Sequence, residues 1–120
     1  MAGKGHKDLL VWQRGMDLVV ACYELTRTLP SDERFGLISQ MRRAVISVPA
    51  NVSEGHARRS RQAYVNHVSI ALGSQSELET LVELCRRLRF CSGTALDRFE
   101  NDLQGVGRLL FGLHRSLTAK

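Results

Sequence analysis

Apolar residues in this chain recur at spacings of three and four in four successive stretches, and nowhere alternate with period two. That pattern calls for helices that each bury one stripe, and it leaves no strand. The first helix is expected over about Leu9–Leu29, with Trp12, Met16, Val19, Val20 and Tyr23 as its stripe. Pro30 stops it, because the residue before a proline is pushed out of helical geometry. Ser31 or Asp32 is expected to cap the second helix, whose stripe is Phe35, Ile38, Met41, Val45 and Val48. Pro49 lacks a backbone donor and crowds the carbonyl of Val45, so a kink is expected there. The helix then resumes through Asn51 to Glu54, and Gly55 ends it.

Ser60 is the expected cap of the third helix, which carries Tyr64, Val68, Ala71, Leu72, Leu78, Leu81, Cys85 and Leu88 and reaches about Phe90. At close to 30 residues it spans roughly 45 Å. Gly93 suits a helix-ending position, and Thr94 to Asp97 resembles a capping box. The fourth helix carries Leu96, Phe99, Leu103, Val106, Leu110, Leu113 and Leu117. Short connections make successive helices antiparallel. The expectation is therefore an all-α, up-down-up-down four-helix bundle occupying residues 1–120 as one domain, with residues 1–8 flexible. A chain of 120 residues buries roughly two-thirds of its unfolded surface, enough for a core without disulfide or metal staples. Gly73, Gly105, Gly107 and Gly112 fall inside helices, where each costs about 1 kcal/mol against alanine. Close approach of helices within the bundle is the first reading of them, and contact with other subunits the second.

Hydrophobic residues at 43% and charged residues at 24% exclude a disordered chain. No apolar run approaches the roughly 20 residues of a membrane helix or follows the N-terminus as a signal peptide would. A cytoplasmic location and no membrane partner are expected. Cys22, Cys85 and Cys91 are odd in number and lack Cys-x-x-Cys spacing, so neither a disulfide framework nor a zinc site is indicated. Cys22 and Cys85 read as small core residues. A di-iron bundle needs Glu-x-x-His pairs, yet His6, His56, His67 and His114 have no glutamate three residues before them. His67 reads as a polar surface or subunit-contact residue. No Gly-x-Ser-x-Gly elbow and no glycine-rich phosphate loop occurs. No catalytic residue, metal or cofactor is therefore expected, and an enzyme is not indicated. Glu79 and Glu83 are expected to pair with arginines such as Arg86 and Arg87.

Charge carries the remaining signal. Seventeen basic residues face 12 acidic ones, and 14 of the basic residues are arginine. Arginine offers phosphate a planar, permanently charged donor fork. One cluster, Arg58, Arg59 and Arg61, lies between helices two and three; a second, Arg86, Arg87 and Arg89, ends helix three; Arg42 and Arg43 lie within helix two. The first two clusters are about 40 Å apart by helix rise, too far for one patch on a single subunit. A plainer account assigns Arg86, Arg87 and Arg89 to the dipole at a helix C-terminus. Arg42 and Arg43 point about 100° apart, so one of them at most faces the bundle. Aromatic residues are too sparse along the sequence to indicate base stacking.

The central block, Phe35-Gly36-Leu37-Ile38, Gln40, Arg42-Arg43-Ala44, Ser47-Val48-Pro49-Ala50-Asn51 and Glu54-Gly55, resembles the four-helix-bundle 23S rRNA intervening-sequence proteins. The retroelement accessory variability proteins look like the same fold. Tyr64, Ala71-Leu72-Gly73-Ser74, Glu77-Leu78 and Glu79-Thr80 continue the likeness, while Gln75 stands where such proteins often carry a hydrophobic or small residue. The resemblance implies a homopentameric ring with a central channel. In some relatives it also implies assistance to a reverse transcriptase and contact with RNA or DNA through a basic surface. Ser47, Pro49, Asn51, Glu54 and Gly55 are expected to shape a helix end and its subunit contacts, with Glu54 in reach of Arg58. Taken together, these readings indicate a self-associating accessory or scaffold protein that contacts nucleic acid through Arg42, Arg43, Arg58, Arg59 and Arg61 first, and Arg86, Arg87 and Arg89 second. The alternative is a protein-interaction scaffold that binds no nucleic acid.

Overall fold

The structure is a computed structural model that describes residues 5–119. Four helices form: α1 (Leu10–Thr26), α2 (Leu37–Ala57), α3 (Arg61–Arg87) and α4 (Gly93–Thr118). Single 3-10 turns, His6–Asp8 and Ser31–Glu33, precede α1 and α2, and no strand occurs among the described residues. Of the segment expected to be flexible, residues 1–4 lie outside the described residues, whereas Gln13 Nε2 donates to the Lys7 carbonyl at 2.9 Å within the first turn.

Each helix packs on two others in the cyclic order α1, α2, α3, α4, giving a rod of 47 × 23 × 22 Å. Partners descend along one helix as they ascend along its neighbour. Across α2 and α3, Met41 meets Cys85, Ser47 meets Ser74 and Asn51 meets His67. Gln75 and Arg86 of α3 meet Leu103 and Asp97 of α4, and Gly15 and Thr26 of α1 meet Pro49 and Arg42 of α2. These packed pairs run antiparallel. The buried layer between them includes Leu18, Met41, Val45, Val48, Leu78, Leu96 and Leu103.

Several local expectations are corrected. The core face of α1 is Val11, Gly15, Leu18, Cys22 and Leu25, not the Trp12 to Tyr23 stripe. That helix is apolar on two sides, and Gly15 lets the first side settle against the Pro49 ring, with a virtual Cβ 3.4 Å away. Met16 and Val20 are left facing solvent. Neither Ser31 nor Asp32 caps α2; instead Glu33 Oε1 accepts from the Leu37 amide at 3.1 Å. Pro49 lies inside α2 without ending it, and the helix continues past Gly55 to Ala57. Gly55 is buried because α3 crosses it so closely that a Cβ would lie 2.8 Å from His67 Cβ. Ser60 caps α3, its Oγ accepting from the Ala63 amide at 3.2 Å. α3 stops at Arg87, and Leu88, Arg89 and Phe90 form its cap, with Leu88 exposed. Gly93 starts α4 rather than ending α3, so Thr94 lies inside the helix and is not its cap, and Asp97 turns to Arg86.

Gln75 is buried in the α3 stripe, where its Nε2 donates to the Leu103 carbonyl at 2.6 Å. Gly107 makes room for it: a Cβ there would lie 2.8 Å from Nε2. Gly107→Ala should therefore destabilise by about 1–2 kcal/mol despite its better helix propensity. In a Gln75→Ala background the same change should be neutral or stabilising, and a double-mutant cycle by urea unfolding measures the coupling. The close-approach reading holds for Gly107 but not for Gly73 or Gly112, above which space is open for at least 4 Å.

Candidate functional site

The residues singled out in α2 divide by the helix they meet. Pro49 faces α1, while Ser47, Asn51, Glu54 and Gly55 face α3. Asn51 Nδ2 donates to the Ser47 carbonyl at 2.8 Å and to Ser47 Oγ at 3.0 Å. The carbonyl bond draws the amide onto a backbone acceptor one turn back, the local pairing open to asparagine in a helix. Its Oδ1 then faces His67 Nδ1 at 2.9 Å, which assigns the proton to Nδ1. His67 Nε2 turns toward Glu54 at 3.9 Å, and Ser74 Oγ donates to Ser47 Oγ at 2.8 Å. Among the described residues no serine hydroxyl is bonded to the imidazole, so this hydrogen-bonded series does not pair a nucleophile with a base. It fastens α2 to α3. His67 and Ser74 acquire this role only through pairing across 16 and 27 residues, which local spacing does not reveal.

The arginines separate into engaged and free groups. Arg42 is half-buried: its Nε donates to Thr26 Oγ1 at 2.9 Å and its guanidinium lies 4.2 Å from the Tyr23 ring centroid. Thr26 is fully buried and donates its own proton to the Cys22 carbonyl, so Arg42 completes its hydrogen bonding. Arg43 is exposed beside a polar groove lined by Gln40, Ser47, Ser74 and Glu77.

Arg86 meets Glu83, Asp97 and Glu100 at 3.7, 3.2 and 2.6 Å, bracing α3 to α4. The hydrogen bond to Asp97 comes first in raising its pKa. Arg87 pairs with Glu83 at 2.9 Å, whereas Glu79 makes no ion pair among the described residues. Two members of the second cluster thus sit among carboxylates, whereas Arg89, at a positive φ of 60°, is exposed and makes no ion pair among the described residues.

The first cluster does not. Arg58, Arg59 and Arg61 are exposed at the α2–α3 turn, and the one carboxylate within 4 Å of them among the described residues is Glu54, 3.5 Å from Arg58. The antiparallel packing brings Lys7 and Arg115 to this same end. Arg59 holds a positive φ of 57° just past α2, a position that favours glycine. Arg59→Gly should raise stability by about 1 kcal/mol, read as a Tm increase of roughly 4 °C, while removing one exposed cation.

Among the described residues no group of three or more His, Cys, Asp or Glu side chains is placed to hold a metal. Cys22 and Cys85 are buried, and desolvation pushes both thiols up to about 12. They remain neutral at physiological pH and behave as core residues. No described helix is long and apolar enough to cross a membrane.

A family model described as 23S rRNA-intervening sequence protein matches residues 7–112. A crystal structure from Bacteroides thetaiotaomicron, of a protein with unknown function from the S23 ribosomal protein family, is similar with a TM-score of 0.82. Identity is 25%, over 91% of this chain and 98% of that one. No curated protein matches.

Proposed function

This chain belongs to the 23S rRNA-intervening sequence protein family, and from that premise we propose a non-enzymatic, self-associating accessory or scaffold protein that contacts RNA or DNA with low sequence specificity. The observation that carries the nucleic-acid reading is the contrast between the two ends. Arg58, Arg59 and Arg61 are exposed with a single carboxylate in reach, whereas at the other end Arg86 is engaged by three and Arg87 by one, leaving Arg89 alone unpaired among the described residues. Arg59 and Arg61 have no carboxylate within 4 Å among the described residues and Arg58 has only the exposed Glu54, so these guanidiniums can take phosphate, and the α2–α3 turn is the leading contact surface and the Arg86 end the secondary one. Arg43, roughly 22 Å from Arg58 by helix rise, is a separate exposed cation beside Ser74 and Glu77, and Arg42 holds α1 to α2. Contact with phosphate alone positions the ligand without reading bases.

Self-association is supported by apolar surface left over from the bundle. Met16, Val20 and Ile46 on α1 and α2 are 43%, 61% and 42% exposed, and Phe111 on α4 is 62% exposed beside a groove of about 740 Å³. Two unlike patches on one subunit suit a head-to-tail ring, and the family resemblance makes that ring a pentamer. Repeating the basic end around the ring multiplies the positive field that each copy presents. The protein acts in the cytoplasm, and a reverse transcriptase is the partner suggested by the likeness to accessory variability proteins.

A second reading, a scaffold for proteins alone, is favoured by Phe35, which is 86% exposed with Arg34 5.0 Å from its ring. Polarisation titration with a structured RNA at low and physiological salt separates the two, with oligomeric state followed by light scattering. Binding at low salt that weakens as salt rises is expected. An intact oligomer that fails to bind at low salt leaves only the scaffold.

A further inference from the structure

The basic end carries a feature that linear sequence conceals. The rings of Trp12, His6, His56 and Tyr64 form a chain in which successive centroids are 5.2, 6.4 and 5.8 Å apart and successive planes meet at 67°, 70° and 85°. They come from three places: the turn before α1, α1 itself, and the two sides of the α2–α3 connection. His56 and Tyr64 bracket exposed Arg58, Arg59 and Arg61 in the sequence, so these arginines sit on the connection that the two rings flank. All four residues are partly buried, Trp12 against the core, and each keeps some surface exposed. Edge-to-face contact engages one edge or one face of a ring at a time. A sandwich would cover both faces.

We propose that this ring cluster is a stacking site for unpaired nucleobases, so that the basic end takes single-stranded RNA or DNA in preference to duplex. The inference rests on the nucleic-acid reading above and deepens it. A single strand can present its phosphates to Arg58, Arg59 and Arg61 while turning a base onto the adjacent rings; a duplex keeps its bases stacked internally and offers phosphate alone. Because every base has a π-face, such a site prefers strandedness without preferring sequence. The cluster is compact, and it serves a short segment rather than a long track.

Trp12 is the chain's one tryptophan, so its emission reports directly on this cluster. The test titrates the full-length protein with a dodecameric oligothymidylate and with a duplex of the same length, at equal low salt. The single strand should quench Trp12 emission and bind at least about tenfold tighter than the duplex. His56→Ala should weaken single-strand binding by roughly fivefold to tenfold and leave duplex binding unchanged, whereas neutralising Arg58, Arg59 and Arg61 should weaken both. His6→Ala gives an independent check on a ring outside the helices. Equal affinity for both ligands without quenching overturns the stacking site and leaves the phosphate contact standing. Absence of binding to either ligand removes the nucleic-acid reading together with this one.

Discussion

The triple reversal Arg58→Glu, Arg59→Glu and Arg61→Glu should weaken RNA binding at low salt by at least about a hundredfold and reduce the slope of log affinity against log salt by roughly three. The magnitude follows from counting phosphates. Each exposed guanidinium that leaves a phosphate restores condensed counterions, and each glutamate adds repulsion. The fold should survive, because these side chains are exposed and their one internal tie is the Arg58–Glu54 pair at 3.5 Å, with both partners more than half exposed. An exposed pair of that kind contributes little. Reversing Arg86 is the matched comparison. Asp97 and Glu100 tie Arg86 to α4, and with Glu83 of α3 they would face a like charge, so Arg86→Glu should lower Tm while changing RNA affinity much less. Circular dichroism melts and polarisation titrations on the two variants separate a binding surface from a brace.

Gly55→Val should be among the most damaging single substitutions in the chain, costing about 3 kcal/mol, or roughly 10–15 °C in Tm. A Cβ at this position would stand 2.8 Å from His67 Cβ, 3.0 Å from Tyr64 Cδ1 and 3.3 Å from Tyr64 Cα. His67 Cβ and Tyr64 Cα belong to or adjoin the α3 backbone, so rotating the Tyr64 ring alone does not relieve the clash. The helices must separate, and the Asn51–His67 and Ser47–Ser74 hydrogen bonds that span the same crossing would lengthen. Gly73→Val tests the converse. Nothing lies within 4 Å of its virtual Cβ, so its effect on protomer stability should be small, and an effect on assembly alone would place Gly73 at a subunit contact.

Helix number and type were legible because periodicity three-to-four is a local property, and the Ser60 cap was legible because a hydroxyl meets an amide three residues away. What escaped was long-range. α1 offers two apolar stripes, and the choice of Val11, Leu18 and Cys22 over Trp12 and Met16 is made by where α2 and α4 lie. Gly55 reads locally as a helix stop, since glycine often is one, yet here its missing Cβ admits α3. Asp97 reads as a capping residue until Arg86, 11 positions earlier, is brought beside it. The arginine runs were visible as clusters, but their inequality was not, because it depends on which carboxylates the fold delivers to each end. The ring cluster was hidden for the same reason: His6, Trp12, His56 and Tyr64 are scattered along the chain and converge only when α1 and α2 pack antiparallel.

Amide hydrogen exchange, measured on the intact protein with and without single-stranded RNA at low salt, addresses the basic end most directly. Slower exchange across residues 54–64, with little change across residues 86–98, is the expected outcome. Protection confined to the α3–α4 turn, or an unchanged α2–α3 turn under saturating RNA, would contradict it.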